Sequence, residues 1–442
     1  MAALTRPLRV DGTVRVPGDK SISHRALLLA ALATGRSRIR GLLDSHDVRS
    51  TAAVLRSYGV AVPPVGDEMI VEGHGASSFQ QPSTQLDCGN SGTTVRLTSG
   101  IAAALPLTSE FVGDASLSRR PMGRVARPLR AMGAVVEFPG SEGPNGASAR
   151  ETLPMRVMGR ALRSVEWETE VASAQVKSAI LLAGVSAGVP VLVREPVRTR
   201  DHTERMLGEM GATVEAIDST VVVRPPTGGR LAPLDLAVPG DPSSAAFFVT
   251  LALLADAGTL ELPDVCLNVT RTGFLRAVRQ MGARVETAVG EPQGGEPVGT
   301  LRVSPPSSPL RAISVGARDV PAMIDEIPLL ACLAARADGT TEISGAQELR
   351  VKESDRIATV VANLRAIGVD AEERPDGMLV HGTQAPLAGE VRTAGDHRIA
   401  MAFGVLGAAT GRAVTVDDPA CADVSFPGFW DTLRRLTHAA GR

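Results

Sequence analysis

The chain has 442 residues, of which 44% are hydrophobic, and its formal net charge is −2. No run of about 18 apolar residues occurs, which argues against a membrane-spanning helix. The balanced charge and the 3% aromatic content argue against nucleic acid as a partner. Four widely spaced cysteines without a Cys-x-x-Cys pair, and a start without an apolar signal core, indicate a cytoplasmic protein with neither disulfides nor structural zinc.

Lysine is almost absent from the chain. Of the 46 basic residues, only Lys20, Lys177 and Lys352 are lysines, and the others are arginines. A cation that serves only solubility can be of either type, whereas an ammonium is compact and can give up a proton. Each lysine is therefore a position where the ammonium group itself could be required.

One short pattern recurs along the chain: a helical run of Leu, Arg and Ala ends at a glycine and is followed by a β-prone segment. Glycine is common at the end of any helix, so a single copy carries little information. The copies end at Gly59, Gly133, Gly211, Gly282, Gly368 and, in truncated form, Gly441, at intervals of 71 to 86 residues. Six copies at this spacing predict six repeated units that mix helices with a small sheet.

A coarser repeat divides the chain into halves. The segment VPGDKSISHR from Val16 is echoed by VPGDPSSA from Val238, 222 residues later. This offset predicts two similar domains of three units each that face a cleft, with the Pro/Gly-rich stretch Arg224–Leu236 as the crossing point.

The first copy of this segment leads from a strand into a long apolar helix. Helix starts present unsatisfied N–H groups and a positive dipole end, which suit an anion. A plain capping turn is the alternative, and the echo supports it for the Pro-Gly-Asp-x-Ser frame. Because the echo lacks Lys20 and Arg25, these two cations are candidate functional residues. Asp19 stands where a Walker A loop needs Gly, so this is not a nucleotide-binding P-loop.

Three further segments of the first half could contact a ligand. The small-residue loop CGNSGTTVR, from Cys88, enters a helix and could cradle a phosphate, although most such loops are turns. Arg119 and Arg120 form a possible bidentate clamp or a solvated charge pair. Ser173 and Gln175 offer neutral donors on a small-residue helix, where polar groups are usually surface.

The second half carries two acidic candidates. Asp325 opens a very apolar helix, where it could simply complement the helix dipole. Glu353 lies between Lys352 and Arg356, where it could form an ion pair or act as a general acid or base. His397 precedes another apolar helix, and we interpret it as a capping or core residue rather than a metal ligand.

Six cations stand in motifs at helix entries. Two small substrates that each bear a phosphate and a carboxylate would carry roughly −5 to −6, which these cations match without a metal. The six are Lys20, Arg25, Arg120, Lys352, Arg356 and Arg398.

Nine ordered motifs together resemble the 3-phosphoshikimate 1-carboxyvinyltransferases, or EPSP synthases, of the enolpyruvyl transferase family. They are PGDKSISHR, GNSGTT.R, RRPM, SAQ, TRDHTE, PGDPSSA, IDEIP, RVKESDR and GDHRIAM. The resemblance implies an α/β (α+β) fold: a two-domain inside-out α/β barrel of six βαβαββ repeats, three per domain. It assigns residues 1–18 plus 237–442 to domain 1 and residues 19–236 to domain 2.

The resemblance also implies a reaction in which phosphoenolpyruvate gives its enolpyruvyl group to the 5-hydroxyl of shikimate 3-phosphate and phosphate is released. The implied catalytic residues are Asp325 for the hydroxyl proton, Glu353 for the methylene carbon, and Lys20. The implied contacts of shikimate 3-phosphate are Lys20, Ser21, Arg25, Ser173, Ala174, Gln175, Arg200, Asp325 and Lys352. Those of phosphoenolpyruvate are Lys20, Gly92, Arg120, Gln175, Arg356 and Arg398. Neither a cofactor nor a metal is implied, and we expect a monomer.

Departures from the family pattern leave alternatives open. Ala174 stands where many members have a second Ser, and Val424 where many have a Lys that closes over phosphoenolpyruvate. Gly92 would leave room in the implied phosphoenolpyruvate pocket, and we hypothesise that the inhibitor glyphosate can enter it. A related UDP-N-acetylglucosamine enolpyruvyl transferase is one alternative, although the stretch Leu117–Arg130 lacks the cysteine that such enzymes use as an acid. A non-catalytic binding protein on the same scaffold is the other.

Overall fold

The computed structural model describes residues 7–140, 151–411 and 413–438, and the truncated sixth glycine copy at Gly441 lies outside them. The chain divides into two compact units. Unit 1 falls within Met1–Pro17, Pro239–Glu291 and Pro297–Arg442, and unit 2 within Gly18–Val238 and Pro292–Glu296. Across these described ranges, no helix combines the length and the apolar character needed to cross a membrane.

The described residues contain twelve α-helices of eight to fourteen residues. In chain order they are α1 (Lys20–Leu32), α2 (His46–Ser57), α3 (Gly92–Ala104), α4 (Gly123–Met132), α5 (Ala174–Ala187), α6 (His202–Glu209), α7 (Pro242–Leu253), α8 (Gly273–Gln280), α9 (Ile327–Ala334), α10 (Arg356–Ala366), α11 (His397–Ala409) and α12 (Phe429–His438).

The strands are short, and most have two to five residues. They are β1 (Gly12–Thr13), β2 (Thr34–Arg40), β3 (Glu68–His74), β4 (Leu86–Asp87), β5 (Thr108–Val112), β6 (Val135–Glu137), β7 (Met155–Met158), β8 (Val165–Glu168), β9 (Val191–Arg194), β10 (Thr213–Ile217), β11 (Thr220–Arg224), β12 (Asp235–Ala237), β13 (Leu260–Cys266), β14 (Val285–Val289), β15 (Val298–Val303), β16 (Ser314–Val315), β17 (Thr340–Ile343), β18 (Ala371–Arg374), β19 (Gly377–His381), β20 (Gly389–Val391) and β21 (Val414–Val416).

The strands form six small sheets, three in each unit, with one repeated topology. Four sheets have four strands in the orders β1-β13-β15-β14, β4-β5-β7-β6, β10-β11-β9-β8 and β16-β17-β19-β18. In each of these, the first two strands of the repeat are parallel and the last two form an antiparallel pair. A helix joins the parallel strands β4 and β5, β8 and β9, and β16 and β17, whereas β1 and β13 are far apart in the chain. The remaining sheets, β12-β2-β3 and β20-β21, are shortened versions. The α/β class with βαβαββ repeats, three per unit, is therefore confirmed.

Each unit takes the first strand of one repeat from a distant part of the chain. In unit 1, β1 pairs in parallel with β13, with Gly12 opposite Leu260. In unit 2, β12 pairs in parallel with β2, with Leu236 opposite Ile39. The chain therefore leaves unit 1 after its first strand and returns after unit 2 has received its last strand.

Helices that are apolar on every side occupy the interior of each unit. In unit 2, α3 packs against α1 and α5, and in unit 1, α11 packs against α7 and α9. Nearly all residues of these six helices are buried, as expected for helices without a polar face. Each sheet packs one face against these helices and exposes the other. In β3, for example, buried and exposed residues alternate.

Five of the six interior helices begin with a residue whose side-chain oxygen accepts a hydrogen bond from a backbone N–H in the first turn. Such caps satisfy donors that a helix start leaves without a partner. The caps are Asp19 of α1, Ser91 of α3, Ser173 of α5, Asp241 of α7 and Asp396 of α11. The helix starts are thus fixed in place, and about half of the predicted site residues, among them Lys20, Gly92 and Gln175, lie at or beside them.

The short segment Pro292–Glu296 follows β14 of unit 1 in the chain but packs within unit 2. Its Glu296 carboxylate is fully buried and lies 2.7 Å from Nδ1 of His202. The guanidinium of Arg205 donates to the Gly295 carbonyl at 2.9 Å. These contacts attach the segment to the start of α6.

Candidate active site

The start of α1 carries Lys20 and Ser21 in its first turn. Asp19 caps the helix by accepting the backbone N–H of Ile22 at 2.9 Å. The Lys20 ammonium lies 3.0 Å from a carboxylate oxygen of Asp47, in the first turn of α2. This ion pair orients the Lys20 ammonium at the start of α1.

Arg25 lies one turn further along α1 and is buried. Its guanidinium donates to Thr203 and Ser178, each at 2.7 Å. Burial lowers the pKa of Arg25 to about 10, although the carboxylate of Glu204 opposes this shift. Arg200, which is half-buried, is near enough to add to the lowering of the Arg25 pKa.

Two arginines approach Gly92, the first residue of α3: Arg96 from the same helix and Arg120 from a later segment. Arg120, which is buried, donates to the amide oxygen of Asn90 at 2.5 Å. A methyl group at Gly92 would lie 2.8 Å from Nη1 of Arg96 and 3.5 Å from Nη1 of Arg120. The absence of a side chain at Gly92 thus allows two guanidinium groups to approach the start of α3.

Gln175 links the starts of α3 and α5. Its amide oxygen accepts from Arg96 at 2.6 Å, and its amide nitrogen donates to Thr93 at 2.9 Å. Ser173 caps α5, and Ala174 is the first residue of that helix. In unit 2 the structure therefore assembles the predicted residues into two neighbouring groups, one around Arg25 and one around Gly92, joined along α5.

In unit 1, Asp325 lies in the short 3-10 helix Ile324–Glu326. Three cations from later segments surround its carboxylate. One of its carboxylate oxygens is 3.6 Å from the Lys352 ammonium and 3.4 Å from Nη1 of Arg356. The other oxygen is 3.9 Å from Nη2 of Arg398, which also donates through Nη1 to the Asp325 carbonyl at 3.3 Å. The three cations fix both oxygens of this predicted proton acceptor.

Arg356, the first residue of α10, is almost completely buried between carboxylates. Nη2 of Arg356 lies 2.6 Å from Glu353, and Nε lies 2.8 Å from Asp396. Burial alone would lower the pKa of Arg356, but Asp396 and Glu353 outweigh this effect and raise it. The guanidinium therefore stays charged and holds Glu353 beside Asp325.

Several residues of this arrangement were missed at the sequence level. Arg96 contacts Gln175, Asp47 pairs with Lys20, and Asp396 holds Arg356. Only Arg96 and Asp396 lie inside quoted motifs, so their position there is the one signal that could have identified them. Nothing in the sequence around Asp47 distinguishes it from a surface acid.

A further buried network supports unit 1 beneath the site. Arg271 donates to the α7 cap Asp241 and to Ser243, each at 2.9 Å, and Ser243 in turn hydrogen-bonds to Glu326. The echo of the first helix entry therefore has a structural role, as the sequence predicts. Its cation, Arg271, comes from a later segment.

Lys177 is fully buried on α5, which its position in the sequence did not indicate. Its ammonium lies 2.8 Å from Glu195 and 2.7 Å from Glu204. Burial alone would lower the pKa of Lys177, but Glu204 and Glu195 outweigh that effect and raise it. Lys177 is therefore the cation of a buried ion cluster and not a surface charge.

The two remaining sequence positions are His397 and Val424. His397 is the first residue of α11 and is buried, in keeping with a capping or core position. Val424 ends the short 3-10 helix Pro419–Val424 and is half-buried. Burial also raises the pKa of the Cys88 and Cys332 thiols, which makes them poor nucleophiles.

Comparison with known proteins gives a consistent result along the whole chain. The family profile described as EPSP synthase (3-phosphoshikimate 1-carboxyvinyltransferase) matches residues 4–433. A 3-phosphoshikimate 1-carboxyvinyltransferase of Sulfurihydrogenibium sp. is 43% identical over 97% of this chain and 98% of the relative. One from Sphingopyxis alaskensis is 47% identical over 97% of this chain and 96% of the relative.

Solved structures agree with these relatives. The EPSP synthase of Acinetobacter baumannii superposes with a TM-score of 0.83 at 37% identity and covers 98% of this chain and 97% of that chain. The enolpyruvyl transferase NikO of Streptomyces tendae, at 18% identity and a TM-score of 0.72 over 97% of this chain and 95% of its own, shares the fold. The chain therefore belongs to the EPSP synthase (3-phosphoshikimate 1-carboxyvinyltransferase) family.

Proposed function

We propose that this chain transfers the enolpyruvyl group of phosphoenolpyruvate to the 5-hydroxyl of shikimate 3-phosphate and releases phosphate. The products are 5-enolpyruvylshikimate 3-phosphate, an intermediate of aromatic amino acid biosynthesis, and phosphate. The observation that carries the proposal is the cluster of Asp325, Glu353, Lys352, Arg356 and Arg398 in unit 1. Two carboxylates among three cations supply proton transfer and anion binding in one place.

The proposed substrate contacts are those that the motif resemblance implies. Arg25 and its neighbours take part in binding shikimate 3-phosphate. Its proposed contacts are Lys20, Ser21, Arg25, Ser173, Ala174, Gln175, Arg200, Asp325 and Lys352. Phosphoenolpyruvate is bound by guanidinium groups, which match carboxylate and phosphate geometry. Its proposed contacts are Lys20, Gly92, Arg120, Gln175, Arg356 and Arg398.

The reaction requires two proton transfers, one to the methylene carbon of phosphoenolpyruvate and one from the 5-hydroxyl of shikimate 3-phosphate. Glu353 gives a proton to the methylene carbon of phosphoenolpyruvate, and the adjacent carbon becomes electrophilic. The 5-hydroxyl oxygen then bonds to that carbon while Asp325 takes its proton. Loss of phosphate from the resulting tetrahedral intermediate, with return of a methyl proton to Glu353, restores the double bond. The ammonium of Lys20 stabilises the charge that develops on the phosphate or shares in proton transfer.

The two rival functions have less support. Leu117–Arg130 covers a 3-10 turn and most of α4, and it contains no cysteine that could serve as an acid on a UDP-sugar substrate. A binding protein without catalysis would not need Glu353 to be held on Arg356 beside Asp325.

Phosphate release from phosphoenolpyruvate distinguishes the three functions. We expect release with shikimate 3-phosphate as acceptor and none with UDP-N-acetylglucosamine. Asp325→Asn and Glu353→Gln should each lower kcat by about 10²-fold or more, as loss of a general acid or base does. Glu390→Gln, at an exposed position in unit 1, serves as the control and should leave kcat unchanged. Release with the UDP-sugar only, or with neither acceptor, would refute the proposal.

The proposal includes a monomeric cytoplasmic enzyme whose domains are residues 1–18 with 237–442 and residues 19–236. Support for the compartment comes from free thiols, since Cys88, Cys266 and Cys332 are all buried without disulfides. Light scattering across a concentration series tests the monomer: a mass near twice 45.9 kDa would contradict it.

A further inference from the structure

Arg25 is held by neutral oxygens. Nε of Arg25 donates to the Thr203 hydroxyl and Nη2 to the Ser178 hydroxyl, each at 2.7 Å. The Thr203 hydroxyl donates to Ser178 at 2.8 Å, so the two hydroxyls form a connected pair. Nη1 donates to the Ser21 carbonyl at 2.9 Å. One edge of the guanidinium is thus fixed against two helices other than its own.

These contacts leave binding capacity on Arg25. A guanidinium has five N–H donors in a rigid plane. Three of them are used by Thr203, Ser178 and Ser21, so one N–H on each Nη has no partner among the described residues. Two N–H groups at the end of a guanidinium are suited to an oxyanion, which they can bind in bidentate fashion.

Arg356, another buried arginine of the site, is held differently. Arg356 contacts the carboxylates of Glu353, Asp325 and Asp396, which offset its charge. Within the described part of the chain, the hydrogen-bond partners of Arg25 are all uncharged. The two hydroxyls therefore orient the guanidinium plane of Arg25, and no carboxylate of the described residues competes with a bound oxyanion for the remaining N–H groups.

The two hydroxyls are fixed in turn by the buried ion cluster next to them. Ser178 follows Lys177 on α5, and Thr203 precedes Glu204 on α6. The ion pair between Lys177 and Glu204 at 2.7 Å therefore joins these two helices at the level of the hydroxyls. Neither hydroxyl is exposed.

We propose that Thr203 and Ser178 are positioning residues that orient Arg25 for an oxyanion of shikimate 3-phosphate. They act through Arg25 and do not themselves contact the substrate. This inference rests on the proposed function and adds to it two residues of the shikimate 3-phosphate site.

Steady-state kinetics of Thr203→Val and Ser178→Ala test the proposal. Each should raise KM for shikimate 3-phosphate by about 10-fold, the effect of one hydrogen bond to a charged group, and leave kcat and KM for phosphoenolpyruvate within about twofold. Thr203→Ser keeps the hydroxyl and should restore a low KM. The matched control is Thr98→Val: Thr98 is a fully buried helical threonine of the same unit whose hydroxyl has no partner among the described residues.

A double-mutant cycle separates positioning from a general structural effect. If Thr203 acts through Arg25, Thr203→Val should raise the KM further by less than twofold once Arg25→Ala is present. Additive effects, an equal fall in kcat, or an unchanged KM in Thr203→Val would overturn the proposal. If Thr203→Val does not fold, the same cycle with Ser178→Ala decides. Failure of the proposed function looks different: the wild-type protein would not turn over shikimate 3-phosphate at all.

Discussion

The buried ammonium of Lys177 predicts a large loss of stability when it is replaced by a neutral side chain. Lys177→Met has nearly the same length and removes only the charge. Glu195 and Glu204 would then face each other without a cation, and both carboxylates are buried. Removal of one partner from a buried ion pair costs about 3–5 kcal/mol, because it leaves an uncompensated charge in a medium that solvates it poorly.

For a unit of this size, each kcal/mol corresponds to about 2–4 °C in Tm, so Lys177→Met should lower Tm by roughly 10 °C. Lys177→Arg keeps the charge but places a larger, planar group in a fully packed position, which costs about 1–3 kcal/mol. Differential scanning calorimetry measures both. Arg194→Met is the control, because Arg194 pairs with Glu166 at an exposed position in the same unit. Equal and small effects for all three variants would refute this reasoning.

The same cluster has a signature at alkaline pH. The pKa of Lys177 is raised in the folded protein. Its contribution to the free energy of unfolding is therefore complete below the ordinary lysine pKa of about 10.4 and is lost as pH rises through the higher folded value. Urea unfolding at neutral pH and near pH 11 should show the wild-type protein losing stability over this range, with a smaller loss in Lys177→Met.

Three further predictions concern unit 2. Gly92→Ala should raise KM for phosphoenolpyruvate about tenfold, because the new methyl group would lie 2.8 Å from Nη1 of Arg96. Gly208→Ala, with nothing within 4 Å of the added methyl group, is its control in the same kinetic assay. Lys20→Arg should lose most of kcat, since a guanidinium is bulkier and does not give up a proton; a kcat within twofold of wild type would contradict this. Burial lowers the pKa of His24 to about 3, so the unfolded chain takes up a proton first and stability should fall as pH drops from about 6.5 towards 3. Chemical unfolding of His24→Gln should show a weaker dependence over that range, and an equal slope would exclude His24 as the cause.

The repeat architecture could be predicted because its signals are local. Glycines such as Gly133 and Gly211 adopt positive φ at the ends of helices, so their spacing marks one unit after another. The helix entries could be predicted for the same reason, since a capping residue such as Asp19 or Asp396 is adjacent in sequence to the helix it caps.

The partners of the site residues could not be predicted, because they depend on tertiary packing. Asp396 is 40 residues from Arg356, and Thr203 is 178 residues from Arg25. An isolated acid or hydroxyl in sequence has no property that identifies its partner. The motif resemblance selected Arg25 and Arg356 as substrate contacts but not the groups that orient them.

Lys177 shows a different limit. A lysine two residues from Gln175 suggests an exposed position on an amphipathic helix. The helix around it, Ala174–Ala187, is apolar on every side, with Val176 and Ile180 buried like Lys177 itself. The sequence of this helix has no polar face. A helix of this kind is buried on all sides, so Lys177 is buried although it is charged.

The strand exchange between the two ends of the sequence has a consequence for protein synthesis. β1 is translated first, but its partner β13 lies about 250 residues later. By contrast, β12 reaches β2 as soon as residue 237 has left the ribosome. Unit 2 can therefore close all three of its sheets while β1 is the one described strand of unit 1 that has been made. That strand must stay unpaired through the translation of more than half the chain, during which it is an open edge available to a chaperone or to another nascent chain.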